Sequence, residues 1–413
     1  MKSKWIYLSL ILGLAQPVSA QSTDPQSLTT EQKIERLRQM DPWRAEMFEG
    51  AMAWQQKDFV KAEAAGHRAL EAAGTSSLRQ QDALDLLAKG QEGQNKHAEA
   101  RDTWKRLAAL RVEHGDAYEA AMFRSQAIYQ ASKANEPAEL TTLQQSLVTQ
   151  PDVMPSLWLL STKDNTLVYQ VAGIRLPLNS DDWVMTSLTS PSERMDPAEI
   201  HYLATSSRAI SFDLTIGWNE DAEIDRADRQ QLEQQRFSQE NTLAIELPKP
   251  EVADAIVLSH ATQKADRPVE ADWRIIKGKW VIDIRTRFPA DERDKALTQI
   301  SRLWANIDWG SLPDIDGDRP MSRRLDEINR SVDRKKWQQV DTEITQALKY
   351  ARFPQELAVL HTQAVFASAG LKQSAKEKAE MKKAFAAWKQ VKMSRYEEML
   401  FNKLQEHTVS KQD

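Results

Sequence analysis

The sequence contains no cysteine. Disulfides, cysteine-bound zinc, thiolate nucleophiles and the lipidated cysteine of a bacterial lipoprotein are therefore all excluded. Beyond its first twenty residues the chain has no apolar run approaching the about 20 residues that a membrane-spanning helix needs. It has no basic excess either: 55 Lys and Arg stand against 60 Asp and Glu, a net charge of −5. Neutralising phosphates takes a concentrated basic surface, so nucleic acid is not an expected partner. H-E-x-x-H, G-x-S-x-G, Walker A and G-x-G-x-x-G are all missing. Their absence removes the commonest zinc-protease, serine-hydrolase, NTPase and dinucleotide signals, and no cofactor or metal is implied.

The start of the chain is informative. Lys2 and Lys4 precede an apolar stretch from Trp5 to Leu14, and Val18-Ser19-Ala20 has the small-residue pattern of a cleavage site. This order reads as a secretory signal peptide over 1–20, cut after Ala20, which makes the product periplasmic and leaves no membrane span after cleavage. Removing it takes away two lysines and leaves 393 residues with a net charge of −7. That length predicts two or three domains.

Residues 21–42 are a polar lead-in that ends in a helical pattern, Ile34, Leu37 and Met40, stopped at Asp41-Pro42. From 43 to 150 the chain is rich in Ala, Leu, Gln, Glu and Lys and helical in period. Gly50 to Leu70 and Leu87 to Leu107 echo each other, with Phe59 to His97 and Ala62 to Ala100 both 38 residues apart. A small residue where two helices cross, a turn, then a second helix with Ala at the contact is the logic of a helical hairpin. Trp54, Trp104 and Leu107 complete the pattern, the two tryptophans as wedges between helices. These positions resemble the tetratricopeptide repeat, whose period is about 34 residues, in a degenerate form. Gly74 stands where that repeat usually carries proline.

Residues 155–310 change character. Leu167–Val171, Ile210–Ile216 and Ala255–Leu258 read as strands. Trp273–Ile276 and Trp280–Arg285 form a hairpin around Lys277-Gly278-Lys279, with Trp280, Ile282 and Ile284 on one face and Asp283 and Arg285 on the other. A helix starting near Asp291 carries Leu297, Ile300, Leu303, Trp304 and Ile307 on one stripe. Asn219 to Glu240 is a charged, Gln-rich excursion. Leu176-Pro177-Leu178, Asp182-Trp183, the long strand near Ile210, the hairpin and a terminal helix with Trp304 together resemble the PsbP-like α+β proteins. That resemblance implies an auxiliary or binding role rather than catalysis. After an acidic linker from Asp308 to Pro320, residues 321–407 return to helical hairpins, marked by Ile328, Trp337, Ala347-Leu348, Ala364, Gly370, Ala375 and Met381.

The predicted fold class is α+β multidomain: helical-hairpin, tetratricopeptide-like arrays over 43–150 and 321–407 flank a central antiparallel-sheet α+β domain over 155–310. Asp314, Asp316, Gly317 and Asp318 fail as a calcium loop, because Arg319 and Leu325 occupy the sixth and twelfth positions. None of the seven histidines forms a close ligand pair. His260, beside Ser259, points to the opposite face of its strand and is not a dyad on its own. Most of the thirteen tryptophans read as core, with Trp183 and Trp218 the candidates for an exposed aromatic strip. Stacked hairpins expose faces that bind protein segments. The expected function is a non-catalytic adaptor or assembly factor for a periplasmic or envelope protein or peptide. Its candidate binding residues are Lys57, Lys89, Lys96, Arg101 and Lys105, with Trp183 and Trp218. The alternatives are an envelope hydrolase and a glycan- or small-ligand-binding protein using a pocket in the central domain.

Overall fold

The computed structural model describes residues 29–150, 153–161, 163–190, 197–218, 243, 245–264, 267–315, 317, 319–391, 393 and 395–410, with 231 and 235. The leader expected over 1–20, most of the 219–240 excursion, and Asp316 and Asp318 of the acidic linker lie outside the described residues. Helical segments flank two antiparallel sheets. The chain divides after Gln94 into two compact units.

The first unit holds α1 (Thr30–Met40), α2 (Pro42–Gln55), α3 (Phe59–Ala72) and α4 (Ser77–Gly93). Thr29 and Gln32 make a reciprocal capping box that starts α1. Asp41 then ends α1 through its own N–H to the Leu37 carbonyl and starts α2 by accepting from the Arg44 amide, with Pro42 at the first helical position. The core is built on small residues, Ala45, Ala53, Ala62, Ala65 and Ala69, with Leu84, Leu86 and Leu87. Helices this lean approach closely: a Cβ on Gly90 would lie 2.6 Å from the Glu63 amide nitrogen. The buried Glu46 receives Arg38 and Arg68 at 2.9 and 2.7 Å, tying α1 and α3 to α2.

The second unit opens with α5 (His97–Glu113), α6 (Ala117–Lys133) and α7 (Pro137–Gln145). A three-stranded sheet follows: β1 (Trp158–Ser161), β2 (Thr166–Tyr169) and β3 (Ile174–Pro177). The larger sheet contains β4 (Trp183–Thr189), β5 (Ala198–Ala204), β6 (Ser211–Trp218), β7 (Ile256–Thr262), β8 (Val269–Lys277) and β9 (Trp280–Phe288). Its strand order is β4-β5-β6-β9-β8-β7, two meanders joined through the antiparallel β6–β9 pair. Alternation along β6 buries Phe212, Leu214, Ile216 and Trp218 and leaves Ser211, Asp213 and Thr215 half-exposed.

Helix α8 (Arg293–Asn306) closes the apolar face with Ile300, Leu303 and Trp304. Trp304 meets Phe212 and Trp273 edge-on at 5.3 and 5.5 Å. Gln144 of α7 is buried and donates to the carbonyls of Leu178 and Met185 at 3.1 and 3.0 Å. A buried amide left unpaired would be costly, so these bonds fix α7 against the sheet. The unit ends in α9 (Met321–Asp333), α10 (Trp337–Ala347), α11 (Pro354–Gly370), α12 (Ser374–Trp388) and α13 (Arg395–Val409).

One turn design recurs through the helical segments. Lys57, Asn95, Gly115, Asn135, Lys335 and Lys372 all have φ between 54° and 76° and sit between two helices. The amide after the left-handed residue reaches back to a helical carbonyl, as in Asp58 to Ala53 (2.8 Å), Asp116 to Arg111 (3.0 Å), Lys336 to Ser331 (3.0 Å) and Gln373 to Ser368 (2.9 Å). That bond completes a Schellman cap and restarts the chain at once as a second helix. The aromatic residue that opens the second helix then packs on a glycine about one repeat later: Phe59 on Gly93, Trp337 on Gly370.

Candidate functional site

The groove lies in the last five helices. Phe353 caps α11, and the Glu356 carboxylate accepts from the Arg352 and Phe353 amides at 3.1 and 3.3 Å. Both α10 and α12 pack on α11. Between them runs a cavity of about 360 Å3 lined by Asp341, Ile344, Thr345, Leu348, Lys349, Ala364, Lys376 and Glu380. The five α10-side residues recur at steps of three and four, so one face of that helix and the turn after it supplies a whole wall. Ile344, Leu348 and Ala364 make the groove apolar, and the Lys376–Asp341 ion pair joins its two sides.

Glu380 is the unusual group. Its side chain is only 9% exposed, yet it is ionised. Its Oε2 accepts from His361 Nδ1 at 2.6 Å and its Oε1 from Lys383 Nζ at 2.8 Å. The His361 hydrogen bond, aided by Lys383 and opposed by burial, holds the carboxyl down at about 2. Glu377, one turn earlier, meets His407 Nε2 of α13 at 2.7 Å. Glu377, Glu380, Ala384 and Trp388 form the inward stripe of α12, and Trp388 Nε1 donates to Thr362 Oγ1 at 2.8 Å. Because both glutamates turn inward, the outer surface around α12 is left to Lys372, Lys376, Lys378, Lys382, Lys383 and Lys389, all exposed.

A deep apolar wall with a few fixed charges is the general form of a recognition pocket. Among the described residues, no group of three or more His, Asp or Glu is placed to hold a metal ion.

The residues singled out from sequence fall elsewhere. Lys57 is exposed on its left-handed turn, and Lys89 pairs with Asp85. Lys96 is a half-exposed N-cap before α5. Arg101 bonds Asp102 at 2.9 Å and pairs with Glu136, and Lys105 meets Glu139 at 2.5 Å. The charges of these last two residues serve to tie α5 to α7. The expectation of Trp183 and Trp218 as an exposed strip is corrected: they are 1% and 6% exposed. Trp183 opens β4, and its Nε1 donates to the Gln299 carbonyl of α8 at 2.9 Å. Trp218 ends β6 opposite Trp280, with ring centroids 5.0 Å apart. Trp54, expected as a helix wedge, is 38% exposed.

His260 belongs to a polar row across the open face of the larger sheet. In register it reads Ser187, His201, Asp213, Arg285, Asp272, His260. His201 Nδ1 bonds Asp213, and Asp272 bonds Arg285 at 2.8 Å with His260 Nε2 at 3.9 Å. The Asp272 hydrogen bond raises the Arg285 pKa further above its ordinary value. Ser187 stands beside His201, but no hydrogen bond joins the two, and Ser259 pairs with Trp273 on the opposite face from His260.

Comparison with protein-family profiles, curated proteins and solved structures returns no match. Among the described residues no helix is long and apolar enough to cross a membrane.

Proposed function

We propose that this protein is an exported, non-catalytic adaptor that holds a peptide segment of an envelope protein on its helical hairpins, used in the manner of tetratricopeptide arrays. The observation that carries this reading is the groove between α10 and α12, with its apolar wall and fixed ionic groups. The recurring left-handed turns and the aromatic-on-glycine contacts support a repeat design. The leader pattern supports export, with Gln21 as the first mature residue.

The test places a photo-crosslinking amino acid at Lys349, which is exposed and lines the groove, and uses Thr345→Trp as a second-site block. In envelope preparations, an adduct to one protein that Thr345→Trp abolishes, without changing thermal stability, is the expected result. Adducts equally strong from a crosslinker at the exposed His67 of the first unit would defeat the proposal.

The hydrolase alternative has one observation in its favour, the Ser187–His201–Asp213 adjacency. A serine-directed fluorophosphonate that labels wild type and not Ser187→Ala would establish it. The adaptor is preferred because the groove offers a lined volume, whereas no hydrogen bond joins Ser187 to His201.

A further inference from the structure

Charge is unevenly distributed along the chain. Residues 321–413 hold 18 Lys and Arg against 12 Asp and Glu, a net of +6, whereas residues 1–320 hold 37 against 48, a net of −11. The basic excess is densest around α12, where six exposed lysines fall between 372 and 389. The two acids in that stretch, Glu377 and Glu380, are buried and committed to His407 and His361. Helix α12 therefore presents lysine outward; Lys376 is paired with Asp341 and Lys383 with Glu380, so Lys372, Lys378, Lys382 and Lys389 carry the excess charge. The same helix forms one side of the groove, whose opposite rim carries Lys349.

We infer that the groove takes an acidic peptide segment carrying an aliphatic side chain, an inference that rests on the adaptor reading above. The aliphatic side chain fills the space against Ile344, Leu348 and Ala364. The flanking Asp or Glu residues face Lys349, with Lys378 and Lys382 extending the basic field along α12. Complementary charge of this kind sets partner choice and association rate more than it sets gross affinity. A nucleic acid fits less well: single strands are held by bases stacking on aromatic platforms, and the lining of this groove has no aromatic ring.

The test uses the full chain and fluorescence anisotropy with three labelled dodecapeptides. One has a central Leu flanked by Asp and Glu, one has the acids replaced by Lys, and one has them replaced by Ser and Gln. A single-stranded oligonucleotide of similar charge is the fourth probe. The acidic peptide is expected to bind at least about tenfold more tightly than either other peptide, and more weakly as salt screens the lysines. Lys349→Glu with Lys378→Glu, which leaves the Lys376–Asp341 pair in place, should remove that preference while leaving the melting temperature close to wild type.

Equal binding of all three peptides, blocked by Thr345→Trp, would overturn the acidic preference and keep the groove. No binding of any peptide, with Thr345→Trp inert, would overturn both. Tighter binding of the oligonucleotide would replace the peptide by nucleic acid. Concentration-dependent dimerisation abolished by the double charge reversal would assign the surface to a second copy of this chain.

Discussion

Burial alone would favour a neutral Glu380, yet this carboxylate sits nearly out of solvent and is held ionised by His361 and Lys383. A carboxyl whose folded value lies below its unfolded one stabilises the fold above the unfolded value, and that contribution disappears as pH falls through the folded one. Here the ordinary value is 4.5 and the folded value about 2. The shift amounts to roughly 3 kcal/mol of stability, present at neutral pH and lost between those two pH values. Glu380→Gln should therefore lower the thermal midpoint at pH 7 and make little difference near pH 2, as read by circular dichroism melts across that range. A constant gap between variant and wild type would disprove the role. The inward position of this glutamate was legible in the sequence, because 377, 380, 384 and 388 share one helical stripe with Trp388 at its end. Its partners were not: His361 lies 19 residues away, and Asp341 lies 35 residues from Lys376. Such pairs depend on helix packing that no local pattern encodes.

At the scale of elements, aromatic-on-glycine contacts set how adjacent hairpins dock. A Cβ on Gly370 would lie 2.4 Å from the Trp337 ring, so Gly370→Ala forces the half-buried indole aside, at a cost of about 1–3 kcal/mol. Alanine is otherwise the better helix former by up to about 1 kcal/mol. In a Trp337→Ala background the same substitution should thus become neutral or stabilising. A double-mutant cycle of chemical-denaturation midpoints measures that reversal, and additive effects would show that the contact does not set the packing. Helices and turns of this kind were readable from the 38-residue spacing, and the β8–β9 hairpin from its alternation. Strand β4 was not: a register shift between Met185 and Ser187 breaks its period, and the first four residues are all buried. The polar Asn179–Asp182 stretch before it made Trp183 look like a loop residue, when it is the first residue of a core strand. Strand β5 was hidden by His201 and Glu199 on the open face, which break the look of an apolar run.

For the whole molecule, the informative quantity is the segregation of charge, which a single net value conceals. A chain of −5 looks unsuited to anionic partners, while its last 93 residues carry +6. Counted segment by segment, the charge of the sequence alone points to the stretch that forms α12. The groove, the basic helix, both sheets and the continuous aromatic core all belong to the unit that begins at Asn95. That unit has its own buried core, its own capped helices and ten of the thirteen tryptophans. A segment with these properties is able to fold alone. Residues 95–413 expressed without the first unit should melt cooperatively, keep the near-ultraviolet dichroism of the packed indoles, and bind the acidic peptide within about twofold of the full chain if the groove is self-contained. If the fragment folds but no longer binds, recognition needs α1–α4 as well, and the candidate cations Lys57 and Lys89 become the first residues to reverse in charge.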